Sequence, residues 1–271
     1  MLTNHTISKH RSFQDLTFEL SGITVFTGNN NTGKTSLLKH IYYNSPEGHV
    51  LMLSSNRRTV PSYFYLKTNS LPFSTGVNGQ FVYPFFIALD KHRPFFQSTL
   101  STKLSDLNLL RTIHLKQSTT KPNKYKIIAK SLNNAKVEVN KLGDSVTSFL
   151  QLFLLLEYVD RGTTIILENP ENSLDPTNQC YLADTLIDYY QQKDIQFIVE
   201  TQSNYFIRRI QHRVAQRFLR LSDFKAYAVY SDDKKSNLFE LIFKNDGFIS
   251  NIESDELQHT FSIDWEEFKP I

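Results

Sequence analysis

Apolar positions along this chain follow two rhythms. Unbroken runs recur, ITVF at 23–26, TTIIL at 163–167 and IQFIVE at 195–200, and their β-branched character predicts strands buried on both faces. Elsewhere the spacing widens to three and four. SLLKHI from Ser36 opens a helix, FLQLFLLLEYV (149–159) reads as a buried helix, and Ile207, Ile210, Val214, Phe218 and Leu221 mark the core face of a helix over about 203–220. Strands alternating with helices predict an α/β fold: a parallel sheet flanked by helices, with ligands at the strand C-termini. Between the halves, residues 45–140 predict a short helical lobe (about 85–115) and a β-ribbon (about 123–140, KYKIIAKSL then AKVEVN). Residues 225–250 predict a strand pair, AYAVYS and LFELIFK, joined by DDKKSN. No sustained heptad appears, which argues against a long coiled-coil arm.

Composition narrows the class. At 271 residues, 40% of them hydrophobic, with 21 Phe and 13 Tyr, the chain has material for one large core domain with a subordinate lobe. A formal charge of +3 permits nucleic-acid contact without arguing for it. The single cysteine, Cys180, excludes an internal disulfide and a multi-thiolate zinc site and suits a reducing compartment. No apolar run approaches the ~18 residues of a membrane span. The N-terminus carries no apolar signal core. The expectation is a cytoplasmic protein away from the membrane.

The chemistry starts at residue 28. After the ITVF strand comes Gly28-x-x-x-x-Gly33-Lys34-Thr35, and then the SLLKHI helix. Strand, glycine-bounded loop and helix in that order form the P-loop context. Backbone N–H groups of such a loop point at one phosphate, and the helix N-terminus adds its positive end. Residues Gly28, Asn29, Asn30, Asn31, Thr32, Gly33, Lys34, Thr35 and Ser36 are the candidate ATP cradle. Lys34 is assigned to the β and γ phosphates and the Thr35 hydroxyl to Mg²⁺. The asparagines tolerate the left-handed turns the loop needs. About 130 residues later the second strand closes on Glu168, placed where an acid would hold the same Mg²⁺. Asn169, Pro170, Glu171 and SLDP follow. The third strand closes on Glu200, with Thr201-Gln202-Ser203 behind it.

In this order the chain resembles the ABC-type ATPase heads of the RecF, SMC and OLD-nuclease class, most closely the small stand-alone versions in bacterial defence and DNA-maintenance operons. SKHRSFQDLTFEL (8–20) resembles their N-terminal hairpin, LGDSVTSFLQLFLLL (142–156) their degenerate signature motif, IILENPENSLDP their Walker B and D-loop, and VETQSNYFIRRIQ (199–211) their switch segment. The resemblance implies one ABC-type ATPase domain over 1–271, with an inserted lobe and ribbon at about 85–141 and a short extension at about 222–271. It implies a head-to-tail dimer of two copies around ATP, with Ser145 of one copy reaching the γ-phosphate held by the other. A plain helix N-cap is the alternative for Ser145, and Asp144 is able to fill that role instead. Gln80, in GVNGQF, is the candidate for the glutamine that senses Mg²⁺ and γ-phosphate, against the commoner case of a surface glutamine. Arg57 or Arg58 approaches nucleotide or partner, or is simply an exposed basic turn.

Two positions depart from that class. The residue after the Mg²⁺-binding acid is normally a glutamate that polarises the attacking water; here it is Asn169. The switch histidine is replaced by Gln202. An amide orients water but takes no proton, and general-base assistance is worth roughly 10²- to 10⁴-fold. Both changes predict slow hydrolysis with binding retained, while Glu171 either recovers base function by turning inward or stays a solvated loop acid. The catalytic set is therefore Glu168, Asn169, Glu171 and Gln202. The first functional reading is an ATP-binding, slowly hydrolysing switch for a separate effector such as a nuclease or toxin in anti-phage defence. The alternative is a RecF-like DNA-binding ATPase, with Arg209, Arg213, Arg217 and Arg220 as the track; a solvated face paired with local acids is the default for that arginine row. A transporter ATPase subunit and a P-loop kinase fit less well, since a full LSGGQ-like signature and a switch histidine are lacking and the Walker B to D-loop order is not a kinase's.

Overall fold

The computed structural model describes residues 1–46, 50–55, 64–65, 82–231 and 235–251; Arg57, Arg58, Gln80 and the last part of the C-terminal extension, 252–271, lie outside the described residues. The chain divides into two compact units, one of residues 1–52 and 160 onward, the other of residues 53–159.

The first unit opens with a hairpin, β1 (Asn4–His10) and β2 (Phe13–Glu19), then β3 (Ile23–Thr27), α1 (Lys34–Tyr43) and β4 (Val50–Leu53). The second unit holds β5 (Phe64–Tyr65), α2 (Val82–His92), α3 (Phe96–Asp106), β6 (Thr112–Gln117), β7 (Lys124–Lys130), β8 (Lys136–Glu138) and α4 (Asp144–Tyr158). The chain then returns to the first unit with β9 (Thr164–Glu168), α5 (Pro176–Lys193), β10 (Gln196–Glu200), α6 (Asn204–Ala215), β11 (Phe224–Ser231) and β12 (Ser236–Glu240).

The expected α/β class is what forms. Six strands run in the order β12-β11-β3-β10-β9-β4. β11, β3, β10 and β9 are parallel neighbours, and β12 closes one edge antiparallel. Every residue of β3, β9 and β10 is buried, which explains their uninterrupted apolar runs. Register matters most for the site. Glu200 lies level with Phe26 on one side and with Glu168 on the other. The three strands therefore end together, and the loops that follow them stand side by side.

Local sequence sets the helix limits. Asp175 caps α5 by accepting from the Asn178 N–H at 3.1 Å, with Pro176 in the first turn, so the SLDP motif works as a helix start. Ser203 caps α6 by accepting from the Phe206 N–H at 2.9 Å. That helix is shorter than its periodicity predicts. Arg217 adopts a left-handed φ of 62°, its N–H returns to the Val214 carbonyl and that of Phe218 to the Arg213 carbonyl, closing the helix. Phe218, expected in the core, is thereby turned out at 58% exposure, and Leu219 is buried in its stead. The arginine row is also resolved. Arg209 and Arg213 both reach Asp184 on α5, each at 2.6 Å, and Arg220 pairs with Asp223 at 2.8 Å, so three of the four are engaged by local acids rather than lined up as a phosphate track.

In the second unit, β7 pairs antiparallel with β5, β6 and β8. The ribbon β7–β8 is as expected, but residues 112–117, partly assigned to the helical lobe, form a strand against β7 because their alternating TIHLKQ pattern fits a half-buried sheet face. Phe85 of α2 stacks on Tyr158 of α4 at 3.8 Å between ring centroids, and Glu157 receives both Arg93 and Lys103 at 2.8 Å. No helix among the described residues is long and apolar enough to cross a membrane.

A histidine cluster ties the hairpin to α1. His5 Nε2 and His40 Nδ1 share a hydrogen bond at 2.9 Å, and His10 lies 4.7 Å from the His40 ring. Burial, aided by His40, pushes the His5 pKa down from 6.5 to about 4. The fold thus favours neutral His5; its contribution is complete above pH 6.5 and is lost as pH falls through about 4. His5→Gln is expected to flatten the fall in melting temperature between pH 6.5 and 4 relative to the unaltered protein, measured by thermal unfolding in matched buffers.

Candidate nucleotide site

The P-loop residues form a cradle at the C-terminal end of β3. Gly28 (φ 136°), Asn31 (φ 64°) and Gly33 (φ 102°) all take left-handed or related conformations, the kind of turn in which successive peptide N–H groups converge to make an anion site. Gly33 has a second reason to be glycine: an added Cβ would sit 2.9 Å from the Phe13 ring and 3.0 Å from Ser236 Oγ. α1 begins at Lys34 with Gly33 as its cap and no side chain covering its first N–H groups, which leaves that helix end available to an anion.

Lys34 is 3% exposed, and its Nζ donates to the carbonyls of Gly28 at 2.8 Å and Asn29 at 2.6 Å. Burial lowers its pKa, against the pull of Glu200 and Glu171. Thr32 Oγ1 braces the loop by donating to the Asn29 carbonyl at 2.9 Å, and Ser36 Oγ accepts from Arg11 at the hairpin turn at 2.8 Å. Asn30, Asn31, Gly33, Lys34, Thr35, Ser36, Asn169, Glu200 and Gln202 line one cavity of about 370 Å³, which brings most of the predicted cradle together with two of the predicted catalytic residues.

Behind the cradle, the strand ends meet it. Glu168 is buried at the end of β9. Asn169, in a left-handed turn with φ 39°, donates its backbone N–H to the Glu200 carbonyl at 2.9 Å, and its side-chain Nδ2 approaches Glu200 Oε1 at 3.5 Å. Glu171 points inward. Its Oε1 accepts from Thr201 Oγ1 at 2.7 Å and from the Gln202 N–H at 2.8 Å, and burial raises its pKa. Its environment is that of a strut for the switch segment rather than of a solvated loop acid. Gln202 in turn donates to Asn30 Oδ1 at 2.6 Å and so joins the switch to the P-loop.

Sequence reasoning missed two residues here. Glu200 is 3% exposed, and Thr35 Oγ1 lies 2.9 and 3.1 Å from its two oxygens. Burial pushes its pKa up to about 7, opposed by the Thr35 hydrogen bond and Lys34. The signal was present, since an acid ends an otherwise apolar strand directly before the switch. Arg11 gave no such signal, because nothing in the hairpin's periodicity singles it out. Ser145 lies in the second unit, in the first turn of α4, where Gly143 and neither Ser145 nor Asp144 is the N-cap. A larger cavity of about 630 Å³, lined by Ser101, Arg111 and His114 among others, belongs to the second unit and has no glycine-bounded loop in its lining.

The donor set suits Mg²⁺, which takes oxygen ligands, keeps several waters and needs only one or two carboxylates beside phosphate. Thr35 and Glu200 provide a hydroxyl and a carboxylate at the cavity wall, and the Oδ1 of Asn169 and Oε2 of Glu171 are buried without a hydrogen-bond partner among the described residues.

The fold is shared with solved ATPase heads. The SMC head domain from Thermotoga maritima superimposes with a TM-score of 0.50 at 14% identity, over 89% of this chain and 99% of that one. An SMC head bound to the C-terminal winged-helix domain of ScpA gives 0.50 at 12% identity, over 89% and 97%. Against a longer Pyrococcus furiosus SMC head with an extended coiled coil the TM-score is 0.39 at 16% identity, and the alignment spans 53% of this chain and only 35% of that one. No curated protein matches the chain in sequence. One family model, described as "AAA domain, putative AbiEii toxin, Type IV TA system", matches residues 54–208. That stretch is more than half of the chain and contains both the strand ending in Glu168 and the strand ending in Glu200, so this protein belongs to that AAA-domain family.

Proposed function

We propose that the chain is an ATP-binding, slowly hydrolysing ATPase whose two copies pair head to tail around ATP and act as a switch for a separate effector protein in anti-phage defence. The observation that carries ATP binding is the cradle itself: Lys34, Thr35 and the uncapped start of α1 open onto the cavity bounded by Asn169, Glu200 and Gln202. Bound Mg²⁺ would supply charge neutralisation at the phosphates. Lys34 would exchange its two carbonyl partners for phosphate oxygens, and Thr35 would present its hydroxyl oxygen. Asn169 would orient water without accepting its proton, which is the basis for slow turnover. Pairing draws on Ser145 at the start of α4, whose first-turn N–H groups carry no side-chain cap. The family's description, with its Type IV TA system, supports a setting in which this chain works alongside another protein.

Mass measurement with and without Mg-ATP tests the switch. The expected result is doubling of the particle mass in ATP, reversed slowly as phosphate appears and absent in Lys34→Ala. A mass that stays constant in every nucleotide state removes the head-to-tail reading.

A further inference from the structure

We propose that Glu200 is the carboxylate that serves the Mg²⁺ of the bound nucleotide, and that Asn169 is its tether. The inference rests on the ATP-binding reading above and deepens it. Among Glu168, Glu171 and Glu200, only Glu200 belongs to the lining of the P-loop cavity. It is also the one that the P-loop threonine touches, with Thr35 Oγ1 donating across 2.9 and 3.1 Å to its two oxygens. A hydroxyl has one proton and two lone pairs. When the proton is committed to a carboxylate behind it, the lone pairs face forward into the cavity, where a cation at the phosphates would find them. Glu200 therefore orients Thr35 and adds negative charge beside the same point.

The departure at position 169 then has a positive role. β9 and β10 are in parallel register with Glu168 beside Glu200, and the Asn169 backbone N–H holds the Glu200 carbonyl at 2.9 Å. Its side-chain Nδ2 lies 3.5 Å from Glu200 Oε1. A glutamate at 169 would place a third carboxylate against Glu168 and Glu200, and like charges at this separation in a buried site disfavour one another's ionised forms. An amide donates instead. Asn169 and Glu200 thus form a pair: the acid is provided by the neighbouring strand, and the amide steadies it.

The test uses the full chain with Mn²⁺ as the metal probe and adenylyl-imidodiphosphate as the nucleotide. Mn²⁺ binding is read by electron paramagnetic resonance, and nucleotide binding is read separately by calorimetry in EDTA. Glu200→Gln keeps the shape and an oxygen acceptor for Thr35. It is expected to weaken Mn²⁺ binding to the nucleotide complex about 10-fold or more, while metal-free nucleotide binding is unchanged or tighter. Asn169→Ala, which removes only the tether, is expected to weaken Mn²⁺ binding by about 10-fold at most, the lower end for loss of an outer-shell partner. If Glu200→Gln binds Mn²⁺ within about twofold of the unaltered protein while Glu168→Gln loses it, the assignment is overturned and ATP binding stands. If the unaltered protein binds no nucleotide with or without metal, the ATP reading falls and this assignment with it.

Discussion

Lys34→Ala is expected to weaken ATP binding by about 30- to several-thousand-fold, the range that corresponds to losing one partner of a desolvated charge pair at roughly 2–5 kcal/mol. The structure explains why the effect is large. Lys34 is buried and held at the cavity wall by the Gly28 and Asn29 carbonyls, so its charge is positioned before any ligand arrives. A phosphate has only to compete with two neutral oxygens for a cation already desolvated, and a charge-assisted hydrogen bond is about twice as strong as a neutral one. Alanine leaves the buried Gly28 carbonyl and the half-buried Asn29 carbonyl without this donor, so the fold loses some stability as well. Calorimetric titration with ATP and Mg²⁺, together with a melting curve, separates the two effects. Tight ATP binding by a folded Lys34→Ala protein would show that the nucleotide lies elsewhere.

Glu171→Ala is expected to act on turnover and on stability together, with ATP affinity kept within about threefold because Lys34 and Thr35 still hold the phosphates. Removing this side chain strands the buried Thr201 hydroxyl and the part-buried Gln202 N–H, which costs about 1–3 kcal/mol. It also releases the segment that carries Gln202 to the P-loop. Phosphate release under saturating ATP should fall at least 10-fold, since about 1.4 kcal/mol of lost positioning in the transition state suffices for that. Glu171→Gln keeps an oxygen where Oε1 accepts and should recover most of the stability and turnover. A glutamine variant as slow as the alanine one, with its stability intact, would instead mark Glu171 as an acid that takes part in the chemistry.

The parts of the fold that were legible in the sequence are those whose signal is local. The buried strands β3, β9 and β10 read as apolar runs and the P-loop as a spacing of glycines. What was hidden depended on partners far away in the chain. Thr35 and Glu200 meet across 165 residues, and no periodicity announces that contact. The class resemblance also drew attention to position 169 and away from position 200, whose carboxylate lines the cavity. The end of α6 was misjudged for a different reason: an arginine, not a glycine, takes the left-handed turn at 217, so the usual stop signal was lacking and Phe218 was carried into the core on periodicity alone. The TIHLKQ strand was obscured by the two neighbouring helices, whose pattern continues into it on a short window.

The contact between Gln202 and Asn30 joins the strand ends to the phosphate loop through two carboxamides. Neither group takes up or gives away a proton across the range in which a protein stays folded. A latch of this make has no sense of acidity, unlike an imidazole in the same spot. It yields to whatever competes for its two hydrogen-bonding ends, and a ligand in the cavity that both residues line is placed to do so.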